Sequence, residues 1–244
     1  MIAQDTHTRT LIKTISWRFF ATLITIIVVL IFTGKIKLAF TVGGVGIVAK
    51  LVLYFFHERF WNKIHFGRKK ITPFVLWFTG LPSSGKTTLA DNLYDKLIAK
   101  GYVAERLSGS RIRHLIDHTG FSREDRGRHA RKVGFLASLL EKNNVIVVAS
   151  FISPYKDDRD FVRDECSNFI EVYMDTPIEV CKKRDNDNLY KKSEQGLIKN
   201  VTGIDAPYQE PKNPEIKINT TNLSVEQSVN KIFNYLVKNK FIEF

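Results

Sequence analysis

The sequence predicts an α/β fold, a parallel sheet with helices on both faces, preceded by a two-helix transmembrane hairpin. Three observations lead there. Two apolar runs, "FFATLITIIVVLIFTG" (19–34) and "LAFTVGGVGIVAKLVLYFF" (38–56), open the chain. From residue 74 onward, short apolar segments alternate with longer amphipathic ones. The first of those segments runs directly into a glycine-bearing loop, "GLPSSGKTTL", and then into a helical pattern.

The first run carries no charge, and the second is broken only by Lys50. A membrane helix needs about 20 mostly apolar residues, so the second run is long enough and the first becomes so when Ser16, Trp17 and Arg18 join it at the interface. No small-residue cleavage site follows the first run, which argues against a signal peptide. Arg9, Lys13 and Arg18 precede the hairpin, and Arg59, Lys63, Arg68, Lys69 and Lys70 follow it, against Lys35 and Lys37 in its turn. The positive-inside rule then puts both termini, and everything after residue 66, in the cytoplasm of a two-span protein in the lipid bilayer. Lys50 is costly in such a span and is expected to snorkel or to face another helix.

The formal charge of +12 belongs mainly to this segment. Residues 1–70 hold 11 Lys/Arg against 2 Asp/Glu, whereas the remainder holds 26 against 23. A nucleic-acid groove is therefore not needed to explain it. Cys166 and Cys181 form no C-x-x-C pair and no metal-ligand spacing, so they read as structural thiols of a reducing compartment.

Residues 67–73 form a basic linker ending in Pro73. "FVLWFT" then reads as a buried strand, and "TTLADNLYDKLIAKG" as a helix ending at Gly101. Between them lies Gly80-x-x-x-x-Gly85-Lys86-Thr87, the strand–loop–helix setting of a P-loop. Its glycines let backbone N–H groups of residues 80–88 (Gly80, Leu81, Pro82, Ser83, Ser84, Gly85, Lys86, Thr87 and Thr88) curl around phosphate oxygens, Pro82 contributing only its ring. Lys86 is placed for the β- and γ-phosphates of ATP and Thr87 for Mg²⁺. Further strands are expected at "YVAERL", "VIVVASF", "FIEVYM" and "EIKIN", with helices over 123–142, 157–166, 177–184 and 223–239. This is a P-loop nucleoside triphosphate hydrolase/kinase pattern, and its ligands gather at the carboxyl ends of the strands.

Two resemblances follow from longer strings. "LIKTISWRFFATLIT" and "KLVLYFFHERFWNKI", with His57-Glu58-Arg59 followed by Trp61, resemble a two-span membrane domain of unknown function. From residue 74 to 244 the chain resembles the adenylyl-sulfate kinases, in "GLPSSGKTTLA", "FSREDR", "FISPYKDDRDFVR", "FIEVYMDTPIEVCKKRD", "LYKK" and "KNVTGIDAPYQEPKNPE". That resemblance implies transfer of the γ-phosphoryl group of ATP to the 3′-hydroxyl of adenosine 5′-phosphosulfate, in sulfate assimilation. It implies that Arg113 and Arg126 hold the acceptor's phosphosulfate, that Phe121 stacks on its base, and that Ile152 and Ser153 line its pocket. Lys191 belongs to a lid over 187–200, Lys199 and Asp205 to an acceptor-side segment, and Arg184 lies against ATP. Relatives are often dimers, so a homodimer is expected by analogy.

Three positions depart from the family's pattern, all on the acceptor side. The family's D-G-D segment is Ser108-Gly109-Ser110 here, so the residues at the catalytic position are Ser108 and Ser110. A serine is no base near neutral pH and a weaker magnesium ligand than a carboxylate. His129 stands for an asparagine, and Val201 for a second stacking phenylalanine. Asp157, Asp158 and His129 are the candidates for a substitute proton acceptor. Beside the adenylyl-sulfate kinase reading stand a kinase of the same fold with another hydroxyl acceptor and a non-catalytic ATP-binding module.

Overall fold

The structure, a computed structural model, describes residues 38–64, 72–109, 112, 113 and 120–243, together with 8, 9, 11–13, 15–17, 19–21 and 24; of the side chains at 38–48 and 51 nothing is described. Residues 2–70 and 71–244 form two compact units.

In the second unit five strands, β1 (Val75–Gly80), β2 (Ala104–Ser108), β3 (Ile146–Ser150), β4 (Phe169–Met174) and β5 (Ile216–Ile218), make one sheet in the order β2-β3-β1-β4-β5. Every pairing is parallel. β1, β3 and β4 are buried along their whole length, which is why they read as mostly apolar runs rather than alternating ones, with Glu171 in β4 paired with Arg159. The chain leaves β1 toward β2 and β3 on one side and returns to β4 and β5 on the other. The crevice where that order reverses lies beyond the carboxyl end of β1, where the glycine-bearing loop begins.

The period of two sorts the strand side chains onto two cores. Phe74, Leu76 and Phe78 face α2 (Lys86–Ala99) and α7 (Val225–Lys238), against Leu89, Leu93, Leu97, Ile232, Phe233 and Leu236. Val75 and Trp77 face the opposite way, against Val133 and Ala137 of α3 (Arg123–Lys142) and Val162 of α4 (Lys156–Glu165). α3 and α4 approach closely at Gly134, where an added Cβ would come within 2.6 Å of Val162 Cγ2.

The helix ends follow capping chemistry. Ser122 accepts from the amide of Asp125 at the start of α3, with Glu124 and Asp125 in its first turn. Ser224 and Gln227 form a reciprocal capping box on α7. Two shorter helices, α5 (Ile178–Lys183) and α6 (Leu189–Glu194), follow β4. In this unit the expected strands and long helices are present, with ends shifted by a residue or two. Both cysteines are buried free thiols, and burial pushes Cys166 up to about 12.

In the first unit α1 (Leu38–Lys63) ends in a polar knot. Arg9 donates to the carbonyls of Trp61 and Ile64 at 2.5 and 2.6 Å, filling acceptors that a helix C-terminus leaves open. Trp61 Nε1 donates to His57 Nε2 at 3.1 Å, and Ser16 Oγ lies 2.9 Å from the same nitrogen. Lys13 pairs with Glu58. The His57-Glu58-Arg59 string thus includes residues that hold the segment around residues 9–17. The first expected span, 19–34, falls mostly outside the described residues. Among the described residues no helix is long and apolar enough to cross a membrane.

Candidate active site

At the end of β1 the chain turns sharply. Gly80 has φ +152°, and a Cβ there would meet Met174 Cβ at 2.8 Å and the Met174 carbonyl at 3.0 Å, so only glycine fits. Ser83 and Gly85 also have positive φ, 58° and 91°. Gly85 then acts as the N-cap of α2, with no side-chain cap. The open N–H groups of that helix start face the loop, an arrangement suited to an anion. Lys86 lies within the curl, its Nζ donating to the Leu81 carbonyl at 2.5 Å and to Ser84 Oγ at 3.3 Å. Burial pulls its ammonium down from 10.5 to about 8.

Two cavities meet at Lys86 and Thr87. One, of about 510 Å³, is lined by Ser83, Gly85, Lys86, Thr87 and Thr88 with Arg184, Thr220 and the start of α7. Arg184 is held there by two bonds to Thr220, to Oγ1 at 2.7 Å and to the carbonyl at 3.1 Å. The other, of about 560 Å³, is lined by Lys86 and Thr87 together with Arg113, Phe121, Arg126, His129, Ile152 and Ser153. Two nucleotide-sized spaces therefore share the lysine and threonine of the loop.

In the second cavity Phe121 is half exposed, with the Arg113 guanidinium 4.3 Å and the Arg126 guanidinium 5.7 Å from its ring centre. Arg126 is oriented by donating to the carbonyls of Phe121 at 3.0 Å and Asn200 at 2.5 Å. Ile152 and Ser153 belong to the loop after β3. Thr79 Oγ1 donates to the Ile152 carbonyl at 2.7 Å, and Trp77 Nε1 to Ser153 Oγ at 3.0 Å. His129 is buried, with its ring edge-on to Phe151 at 5.7 Å. Burial, with Arg113 and Lys132 adding to it, lowers its pKa from 6.5 to about 4, so its imidazole is neutral at pH 7.

Other sequence-designated residues lie elsewhere. Lys191 and Lys199 are exposed and do not line the second cavity. Asp205 accepts from the amides of Asn200 and Val201 at 2.5 and 2.6 Å and from Ser193 Oγ at 3.2 Å. The slight desolvation it meets works against ionisation, but those bonds hold its carboxyl below the usual range. Its side chain ties a loop and does not reach the second cavity. Ser108 ends β2, buried and in register with Ser150 of β3, while Ser110 lies outside the described residues. Val201 is buried against Cys181 and Tyr190. Asp158 is buried and paired with Arg123 at 2.8 Å, and neither it nor Asp157 lines the second cavity.

Two contributors escaped the sequence reading. Arg106 points to the same face of β2 as Ser108 and is buried, with Nε 2.7 Å from Asp91 Oδ1 and Nη2 donating to Ser150 Oγ at 2.6 Å. The alternation of "AERLS" was the available signal: it puts Arg106 and Ser108 on one face. Tyr190, in the expected flap, is buried, and its Oη donates to the Pro82 carbonyl of the loop at 2.9 Å.

Among the described residues no group of three or more His, Cys, Asp or Glu side chains could hold a metal ion. The donor set fits Mg²⁺ that comes with a nucleotide, because such an ion needs only one or two protein oxygens, for which the Thr87 hydroxyl at both cavities is available, and completes its shell with phosphates and water.

Comparison with known proteins matches this geometry. Residues 72–219 match the family described as Adenylylsulphate kinase. Residues 11–62 match one described as Predicted membrane protein (DUF2061). A probable adenylyl-sulfate kinase of Pseudomonas aeruginosa is 50% identical over 160 residues, 65% of this chain and 75% of its own. The adenylyl-sulfate kinase of Rippkaea orientalis is 48% identical over 163 residues, 66% of this chain and 90% of its own. Among solved structures, the Mycobacterium tuberculosis APS kinase in complex with AMPPNP and APS superposes with a TM-score of 0.65 at 36% identity, covering 68% of this chain and 99% of that one. With the family matched over more than half of its length, and 50% identity over 160 residues to a relative covered to 75%, this chain belongs to the adenylyl-sulfate kinase family.

Proposed function

We propose that the chain transfers the γ-phosphoryl group of ATP to the 3′-hydroxyl of adenosine 5′-phosphosulfate, and that residues 1–66 hold this activity at a membrane. The observation that carries the first part is the pair of cavities that share Lys86 and Thr87. Phosphoryl transfer needs a donor and an acceptor placed in line, and depends chiefly on positioning and charge.

In this reading the amides of residues 80–88 and the start of α2 cradle the donor's phosphates. Lys86 leaves its carbonyl partner for the β- and γ-oxygens, and regains its full charge as it does so. Thr87 contributes its hydroxyl to the magnesium shell. When bound, Mg²⁺ neutralises charge on the β- and γ-oxygens. Arg184 lies against the donor nucleotide. Arg113 and Arg126 grip the acceptor's phosphosulfate, for which planar guanidinium forks are suited. Phe121, already flanked by both arginines, stacks on the acceptor's base. Ser108 and Ser110 take the place of the family's two aspartates at the reacting end, and Lys191 and Lys199 reach the acceptor only on closure of the 187–200 segment, which excludes water.

The membrane part is supported by the uncharged run at 19–34, by the second apolar run, and by the match of residues 11–62 to a membrane-protein family. On the described part of α1, Phe55, Phe56 and Phe60 are exposed apolar side chains that a bilayer would cover.

The test is γ-labelled ATP with purified protein and a panel of hydroxyl acceptors. Label on adenosine 5′-phosphosulfate is expected; label on other acceptors alone would replace that substrate. Fractionation checks the membrane part, since recovery without detergent in the soluble fraction would remove it.

A further inference from the structure

The acceptor-side cavity contains cations and hydroxyls. Among its described lining residues there is no Asp or Glu: the polar ones include Lys86, Thr87, Arg113, Arg126 and His129. Both carboxylates that the sequence offered as substitutes are elsewhere, Asp158 buried and paired with the half-exposed Arg123, and Asp157 out in solvent near the same arginine. His129 stands out among the polar side chains there. It is 5% exposed, it lines the cavity, and neither Nδ1 nor Nε2 has a hydrogen-bond partner. A buried imidazole with two orphaned nitrogens is costly to keep, unless something that enters the cavity pairs with it.

We propose that His129 is the proton acceptor for the acceptor hydroxyl, replacing on α3 the carboxylate that the end of β2 lacks. This rests on the phosphotransfer reading above. The step balances within the ternary complex. The acceptor's O–H bond breaks and its proton passes to a ring nitrogen of His129. The freed oxygen bonds to the γ-phosphorus as the bond from that phosphorus to the β,γ-bridging oxygen breaks, and that oxygen keeps the electron pair and leaves on ADP. The imidazolium returns its proton to water when the products depart.

Neutrality is the requirement for this role, and the surroundings impose it. Arg113 faces the ring from residues 112–113, Arg126 and Lys132 lie on its own helix, and Lys86 lies across the cavity. These cations and burial together disfavour the imidazolium, so the free ring is ready to accept. An anionic acceptor clamped by Arg113 and Arg126 cancels part of that positive field, raising the proton affinity of His129 at the moment it is needed.

The experiment is steady-state phosphotransfer by the full chain, with His129→Asn, His129→Gln and His129→Ala, and ATP binding measured on each. The expected result is a kcat lower by about 10²-fold with nucleotide affinity kept, as for loss of a general base. The wild type should show an acid limb in kcat between the free value of about 4 and the ordinary 6.5, absent in His129→Asn. Added imidazole should restore part of the His129→Ala rate. A kcat in His129→Asn within about twofold of wild type would overturn the proposal. So would a slow variant that keeps the acid limb and gains nothing from imidazole, because that is the signature of a structural role. Wild-type protein that binds ATP and labels no acceptor would fail the phosphotransfer reading itself, and the role of His129 with it.

Discussion

Arg106 donates to Ser150 Oγ at 2.6 Å across the β2–β3 pair, two residue pairs below the register match of Ser108 with Ser150. The guanidinium also holds Asp91 of α2 at 2.7 Å and the Val148 carbonyl at 3.0 Å. A strand end, its neighbour and the loop-bearing helix therefore converge on one permanent cation, beneath the site where the family's pattern has a carboxylate.

Replacing that cation should loosen the site and the fold together. Arg106→Ala removes the group that orients Ser150 and leaves Asp91 half solvated, which softens the loss relative to a fully buried pair. The expected destabilisation is about 2 kcal/mol, below the range for fully buried pairs because one partner reaches water. Asp91→Asn should cost less, since Arg106 keeps its carbonyl and hydroxyl acceptors. Urea unfolding of both variants checks the order; Asp91→Asn being the more damaging would contradict it.

The close approach of α3 to α4 makes a sharper prediction. Gly134 has Val162 against the place where a Cβ would stand, at 2.6 Å from one methyl carbon and 3.1 Å from the other. Gly134→Ala gains helix propensity of about 1 kcal/mol but must push the helices apart or force Val162 off its rotamer. Overpacking of this kind costs about 1–3 kcal/mol, so the net effect should be destabilising by about 1 kcal/mol. Adding Val162→Ala should recover part of it, and thermal unfolding of the double-mutant cycle measures the coupling.

The contrast between Gly134 and Arg106 shows what sequence carries and what it conceals. Strand β1 and helix α3 were legible because their signals are local: an apolar run meeting a glycine turn, and a long periodic stretch over 123–142. The P-loop was legible for the same reason. The position of Asp205 was not, because a carboxylate in a loop looks the same whether it meets a ligand or the amides of Asn200 and Val201. His129 was visible as a departure from a pattern. Its burial, and its distance from any hydrogen-bond partner, come from how α3 packs beside Phe151.

Lys86 should make nucleotide binding pH-dependent. Burial lowers its folded-state value to about 8 from 10.5, so between those values the folded, ligand-free chain binds fewer protons than the unfolded one. Stability should therefore rise with pH across that window, as the cost of a buried ammonium disappears, and Lys86→Met should flatten the rise. Phosphate oxygens favour the charged form, so ATP binding above pH 8 should take up a proton and weaken as pH increases. Calorimetry in buffers of different ionisation enthalpy reads that uptake directly, and its absence would mean that Lys86 does not meet the phosphates.

Tyr190 joins the 187–200 segment to the loop it is expected to cover. Its ring is buried with Cys181 and Val201, and its hydroxyl donates to the Pro82 carbonyl at 2.9 Å. Most of the rest of that segment is exposed, with Leu189 and Ile198 only partly buried, so Tyr190 is its one fully buried anchor and sets much of how often it lifts from the loop. Tyr190→Phe keeps the buried ring and deletes one hydrogen bond, a loss of about 1 kcal/mol that falls on the closed arrangement. Hydrogen exchange across residues 187–200 should speed up several-fold while β1 and β3 keep their protection. Tyr190→Ala should go further, emptying the small cluster and raising the KM for ATP as well, because the Pro82 turn then loses its support from above. Equal exchange in wild type and Tyr190→Phe would show that the ring alone holds the segment down.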